Sequence, residues 1–72
     1  MINTEMLKEK ISLSGYRFNW IAKNLGLSPF GLRKKVQGVT EFKVSEIAKI
    51  SDILNLSYDE REEIFFLPNS DT

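Results

Sequence analysis

The residues of this 72-residue chain that could do chemistry lie between positions 17 and 43, and their chemistry is that of binding. Arginine forms paired hydrogen bonds with carboxylates or phosphates, lysine supplies a point charge, and glutamine can bond base edges. An aromatic ring among such groups provides an apolar anchor. The candidate binding residues are Arg17, Ser28, Pro29, Phe30, Gly31, Arg33, Lys34, Gln37, Thr40 and Lys43.

The residue types on which most enzymes depend are missing. The sequence contains no histidine and no cysteine, which removes the commonest general base, the thiol nucleophile and the usual zinc ligands. A domain of this length buries only about 60% of the surface that its unfolded chain exposes, so an enclosed catalytic cleft is not expected. We therefore expect no enzyme, no cofactor, no metal and no small-molecule substrate.

The net charge of zero hides an uneven distribution. Residues 17–43 contain six cations and one acid, a balance of +5, whereas residues 44–72 contain two cations and seven acids, a balance of −5. The basic part could lie against phosphates or against an acidic protein surface. A strong nonspecific nucleic-acid binder is normally basic overall, so the total charge counts mildly against that class.

The chain shows no signal for a membrane or for export. No apolar run approaches the roughly 18 residues that a membrane span needs, and charges at Glu5, Lys8, Glu9 and Lys10 do not fit a signal peptide. We expect a cytoplasmic protein.

Two short amphipathic segments around Gly26 would position the candidate residues. Phe18, Ile21 and Leu25 recur at helical spacing, and Gly26 can take the left-handed conformation that ends a helix. The pattern predicts a helix-turn-helix over about residues 18–37.

The second segment of this motif begins with strong helix-start signals. Ser28 is a favoured N-cap, and Pro29 suits the first helical position. An α-helix turns by about 100° per residue. With Leu32 and Val36 facing inward, the outward face therefore contains a set of polar residues and one aromatic residue. That face consists of Phe30, Lys34 and Gln37, with Gly31 and Arg33 on its flanks and Lys35 nearer the buried edge.

Three more helices complete the prediction. The first runs from about Thr4, as a possible N-cap, to Ser14; the fourth covers roughly Val44 to Leu54, with Asn55 as its left-handed stop. In the fourth, the predicted apolar stripe is Val44, Ile47, Ala48, Ile50 and Leu54. In the fifth, Ser57 and Glu60 form a capping box, and Pro68 forbids extension.

Several large apolar residues lie outside these stripes. We expect Trp20 to pack in the core, because a thin core gains much from one large ring. Phe65, Phe66 and Leu67 cannot all face inward on one helix, so at least one is available for a dimer contact or a partner. The predicted domain is residues 1–67, followed by a flexible tail at 68–72.

These stops, caps and apolar positions form an ordered set over about residues 6 to 66. Its members are Ser14-Gly15-Tyr16, Ile21-Ala22, Leu25-Gly26-Leu27-Ser28, Leu32, Val36, Gly38 and Leu54-Asn55-Leu56-Ser57. The set resembles the Cro and repressor-type helix-turn-helix family. The resemblance implies an all-α, compact five-helix helix-turn-helix domain of the Cro/lambda-repressor-like type.

Within that family, the length, the connector 40–43 and the segment 59–66 look like small regulators from temperate phages. Some of these are Cro-like operator binders, and others are antirepressors, or modulators of repression, that act on the phage repressor protein. The resemblance therefore implies a regulator of a lysis-lysogeny switch in a bacterial host cell, with operator DNA or the repressor as partner.

Two interpretations of the partner stay open. In the first, a dimer binds operator DNA: Arg33, Lys34 and Gln37 face the major groove, and Phe30 touches a thymine methyl. Phosphates would then be held by Arg17, Lys23, Thr40 and Lys43. The alternative without a binding function is that Arg33-Lys34-Lys35 is a solvent-exposed helix face.

In the second interpretation, the protein covers the DNA-binding domain of the repressor. Many operator-binding relatives carry polar residues where this chain has Phe18, Pro29, Phe30 and Gly31. An exposed Phe beside Pro and Gly suits the centre of a protein interface. The acidic fifth helix could imitate phosphates, or merely complement its own dipole. We favour this interpretation narrowly, with a toxin-antitoxin or structural adaptor as a third class.

Overall fold

The structure is a computed structural model that describes residues 2–66. Within these residues there are five helices and no strands. The helices are α1 (Thr4–Ser14), α2 (Phe18–Asn24), α3 (Pro29–Val36), α4 (Val44–Ile53) and α5 (Tyr58–Phe65). The predicted all-helical class is thus confirmed, whereas the predicted tail at 68–72 lies outside the described residues.

Each helix contributes one of the five largest fully buried side chains. They are Leu7, Ile21, Leu32, Ile50 and Ile64. Ala22, Val36 and Phe65 complete the buried core, and the rings of Phe65 and Phe42 pack edge to face with centroids 5.4 Å apart. Because every helix contacts this small centre, the position of each helix depends on the others.

Most helix ends lie where local sequence signals predict them. Gly26, at φ +74°, ends α2, and Leu27 N–H donates to Ala22 O at 2.9 Å. Asn55 has φ +54° after α4, and Leu56 N–H donates to Ser51 O at 2.9 Å. Glycine and asparagine accept this left-handed conformation at low cost. The capping box of Ser57 and Glu60 at α5 is also confirmed.

The predicted N-cap of α1 and the predicted apolar stripe of α4 are wrong. Asn3, not Thr4, caps α1, because Asn3 Oδ1 accepts from Met6 N–H at 3.1 Å. Val44 is 82% exposed because α4 turns Glu46 and Ser51 inward, and Ala48 is exposed as well. α4 ends at Ile53 with Leu54 as its C-cap, which agrees with the approximate end predicted at Leu54.

Trp20 is not a core residue. Its side chain is 44% exposed and stacks on Tyr16, with ring centroids 4.7 Å apart. The inward positions of α2 are filled by Ile21 and Ala22, which leaves the indole on the surface. Of the three consecutive apolar residues, Phe65 is buried and Phe66 is half exposed, so one ring is available on the surface. Leu67 lies outside the described residues.

None of the helices in residues 2–66 combines the length and the apolar character that crossing a membrane requires.

Candidate binding surface on the third helix

α3 is anchored on one face and open on the other. Ser28 Oγ accepts from Gly31 N–H at 2.9 Å, Pro29 occupies the first turn, and Leu32 and Val36 are buried. Phe30 is 66% exposed. The predicted outward direction of Phe30 is therefore confirmed, because the inward positions hold α3 in one rotation about its axis.

The exposed ring of Phe30 is accompanied by a cation of its own helix. Lys34 Nζ lies 5.5 Å from the centroid of the Phe30 ring. One turn of helix separates the two residues, so their side chains meet on the same face. At an exposed site such a contact contributes about 0.5–1 kcal/mol, enough to bias the ring's orientation without fixing it.

A second cation borders the same helix. The guanidinium carbon of Arg33 lies 5.9 Å from the centroid of the Phe18 ring, which belongs to α2. The shallow groove beside it has a volume of about 210 Å³ and is lined by Lys8, Phe18, Arg33, Val36 and Gln37. The α3 surface therefore combines an aromatic ridge at Phe30 with a basic flank at Arg33.

Several cations on α3 and near it form no ion pair. Over residues 2–66 the ion pairs are Lys10–Glu60 and Lys35–Glu46. Arg17, Arg33, Lys34 and Lys43 have no acidic partner within 4.0 Å in that part of the chain. Their charge is available to a partner that supplies carboxylates or phosphates.

The remaining predicted site residues lie on α3, at its caps, or outside it. Ser28, Pro29 and Gln37 are exposed on α3 or at its caps. Gly31 is half-buried, and a side chain there would bring its Cβ within 3.2 Å of Ser28 Oγ, so glycine protects the N-cap. Arg17 lies at the start of α2, while Thr40 and Lys43 lie between α3 and α4; all three are exposed and none belongs to α3.

Sequence reasoning missed the ionic cluster that holds α3 against α4. Lys35 Nζ lies 2.9 Å from Glu46 Oε1 and donates to Glu41 O at 2.8 Å. Glu46 Oε1 also accepts from Lys43 N–H at 2.8 Å, which is half of a capping box. The side chains of Lys35 and Glu46 are only 13% and 9% exposed. The glutamate at the third position of α4 could have indicated the capping half of the cluster, but not the pairing with Lys35.

This cluster makes Glu46 unusually acidic. Burial raises the pKa of Glu46, but the hydrogen bond from Lys43 N–H, the hydrogen bond and charge of Lys35, and the charge of Lys43 together lower the pKa below 4.5. Hydrogen bonds and opposite charges favour the ionised carboxylate. The carboxylate is therefore charged at neutral pH and holds the loop between α3 and α4.

We expect the free energy of unfolding of the Glu46→Gln variant to fall less between pH 7 and pH 3 than that of the wild-type protein. Because the folded-state pKa of Glu46 is below the unfolded value, its stabilisation is present above pH 4.5 and is lost as the pH falls towards the folded pKa. The variant lacks this contribution at every pH, while its amide oxygen can still accept from Lys43 N–H. Urea unfolding at pH values from 7 to 3 measures how steeply the free energy of unfolding falls with pH in the two proteins. Equal slopes would show that the Lys35–Glu46 pair does not contribute.

The pKa of Glu60 is also lowered, by the hydrogen bond from Lys10 and by Ser57 N–H. Both the wild-type protein and the Glu46→Gln variant retain Glu60, so its contribution to the acid dependence cancels. Glu60 is paired with Lys10 at 2.6 Å, so a partner would have to displace Lys10 before Glu60 could imitate a phosphate.

Comparison of the chain with protein-family models, with curated proteins and with solved structures finds no significant match.

Proposed function

We propose that α2 and α3 form a Cro/repressor-type helix-turn-helix whose α3 surface binds the DNA-binding domain of a phage repressor. The protein would then act as an antirepressor, or modulator of repression, in a lysis-lysogeny switch. The observation that carries the proposal is the 66% exposure of Phe30, with Lys34 Nζ 5.5 Å from its ring. The phage setting rests on the resemblance of the sequence to small phage regulators.

The composition of the α3 surface favours a protein partner over a duplex. Pro29, Phe30 and Gly31 occupy the first turn of α3 and offer no side-chain hydrogen bonds to base edges. A rigid aromatic ring bordered by cations is typical of the centre of a protein interface and its rim. Arg33 and Lys34 would pair with acidic groups of the repressor domain.

The alternative function is a Cro-like repressor that binds operator DNA directly as a dimer. It is favoured by Arg17, Arg33, Lys34 and Lys43, which form no ion pair within the described residues 2–66. Such cations neutralise phosphates, and Gln37 could bond a base edge. The zero net charge weakens this alternative, since a duplex would also repel the acidic α5.

Two titrations at moderate salt separate the functions. The unlabelled protein is added to the fluorescently labelled DNA-binding domain of the repressor from the same phage genome, and separately to labelled operator duplexes from that genome. An anisotropy increase with the repressor domain alone supports the proposal. Saturable binding to one operator, with none to the repressor domain, would establish the alternative instead.

A further inference from the structure

An exposed pair of aromatic rings lies at the start of α2, outside the α3 surface. The rings of Tyr16 and Trp20 stack with centroids 4.7 Å apart, and the two side chains are 48% and 44% exposed. Local hydrogen bonds hold this part of the chain, because Ser14 Oγ accepts from Tyr16 N–H at 3.1 Å and Asn24 Nδ2 donates to Trp20 O at 2.9 Å. Tyrosine and tryptophan are enriched at the energetic centres of protein interfaces. The pair is therefore a candidate contact surface.

Two cations accompany the aromatic pair. Arg17 is the N-cap residue of α2, and Lys23 lies three residues after Trp20, which places it on the same face of the helix. Both cations are exposed, and neither forms an ion pair within residues 2–66. We call Tyr16, Arg17, Trp20 and Lys23 the α2 surface. It presents apolar area together with positive charge.

α5 presents the opposite charge beside an aromatic ring. Asp59 and Glu63 are exposed one turn apart, Glu62 lies between them and is half-buried, and Phe66 follows at the end of the helix with 50% exposure. None of the three acids forms an ion pair in the part of the chain that the structure describes. We call these four residues the α5 surface.

The α2 surface and the α5 surface complement each other. The first has two cations and two rings, whereas the second has three acids and one ring. Among residues 2–66, neither set of charges is neutralised by an ion pair within the molecule. The zero net charge of the chain removes the long-range repulsion that would keep copies apart. A second copy of the same chain therefore supplies the chemistry that each surface lacks.

We infer that the protein self-associates through the α2 surface of one copy and the α5 surface of another. Tyr16 and Trp20 pack against Phe66 of the second copy, while Arg17 and Lys23 pair with its acids. Because each surface offers few residues, the contact belongs to the class of small, weak interfaces. None of these residues belongs to α3, so the inference is independent of the function proposed for the α3 surface.

Sedimentation equilibrium over a concentration series tests the inference. We expect the average mass to rise above that of the monomer between about 10 µM and about 1 mM, the range of weak protein pairs. Trp20 is the only tryptophan of the chain, so its emission maximum should move to shorter wavelength over the same range as the indole becomes buried. Raising sodium chloride from about 0.1 M to about 1 M shortens the Debye length from about 10 Å to about 3 Å and should weaken the association.

Charge reversals locate the contact. Lys23→Glu and Glu63→Lys each reverse an exposed charge and should each weaken self-association several-fold. An equimolar mixture of these two variants should restore association, because the two reversed positions again carry opposite charges. Lys49→Glu, on α4, changes the net charge as much as Lys23→Glu does and should self-associate like the wild-type protein. Circular dichroism verifies folding, and Trp20→Ala is the second loss-of-contact variant should a charge reversal fail to fold.

Three outcomes would overturn the inference. One is a wild-type protein that remains monomeric at the highest concentration, which would leave the α2 surface to a different protein. Another is association that Lys23→Glu and Lys49→Glu weaken equally. The third is a mixture of Lys23→Glu and Glu63→Lys that associates no better than either variant alone. A failure of repressor binding at α3 would leave these measurements unchanged, so the two proposals fail separately.

Discussion

Phe30→Ala is expected to weaken binding of the repressor domain by at least about 2 kcal/mol, or roughly 30-fold in Kd. Phe30 is the one large apolar side chain that α3 exposes, and its 66% exposure means that the ring has little packing to lose in the free protein. The thermal midpoint should therefore change little. Anisotropy titrations and thermal unfolding of the same samples measure both quantities.

A matched control is available at the other end of the molecule. Tyr58 is 69% exposed at the start of α5, so Tyr58→Ala removes a comparable ring from a surface outside α3. The control should retain wild-type affinity for the repressor domain. Equal affinities of the Phe30 and Tyr58 variants would remove α3 as the binding surface, whatever the function of the protein.

Lys35→Met is expected to lower the free energy of unfolding by about 3 kcal/mol, because it leaves the carboxylate of Glu46 buried without its ion-pair partner. A domain of this size has a total stability of roughly 4–11 kcal/mol, so the loss is a large fraction. Lys35 also donates to Glu41 O, so the loop after α3 loses a second contact. Urea unfolding at pH 7 measures the difference.

Lys10→Met is the control for the removal of a cation. Lys10 pairs with Glu60 at 2.6 Å, but their side chains are 28% and 33% exposed, so water screens the charges more strongly. We expect this variant to lose clearly less stability than Lys35→Met. If both lysine variants lose the same stability, then burial does not distinguish the two ion pairs, and the account of the α3–α4 junction is wrong.

The ends of the helices were predictable because their signals are local. Ser28 followed by Pro29 begins α3, Gly26 ends α2, and Asn55 ends α4, each through a backbone conformation or hydrogen bond within a few residues. The direction of Phe30 followed from the same local information. Once Leu32 and Val36 are buried, the helical repeat determines which residues face outward.

The errors concern choices that depend on distant segments. Helical spacing placed Val44 inward, but α4 instead buries Glu46, whose charge is compensated by Lys35 from α3. Nothing within α4 reveals that partner. Trp20 was expected in the core because of its size, yet five aliphatic side chains, one from each helix, already fill the centre, and Tyr16 offers a stacking surface outside.

The same distinction between local signals and distant segments applies to the predicted binding residues. Phe30 and Lys34 are brought together by one turn of α3, which the sequence predicts directly. The approach of Arg33 to Phe18 requires the packing of α3 on α2, and the pairing of Lys35 with Glu46 requires α4 to lie beside α3. Sequence patterns give the faces of single helices, whereas sites between helices need the tertiary structure.

The most direct test of the central claim maps the surface that contacts the repressor. A ¹⁵N-labelled sample of this protein is titrated with the unlabelled DNA-binding domain of the repressor, and backbone amide shifts are followed. The account predicts saturable changes at Pro29-flanking and α3 positions, centred on Phe30, Arg33 and Lys34, with α5 little affected. Saturable changes confined to α1 or α5, or no change at any residue, would contradict it.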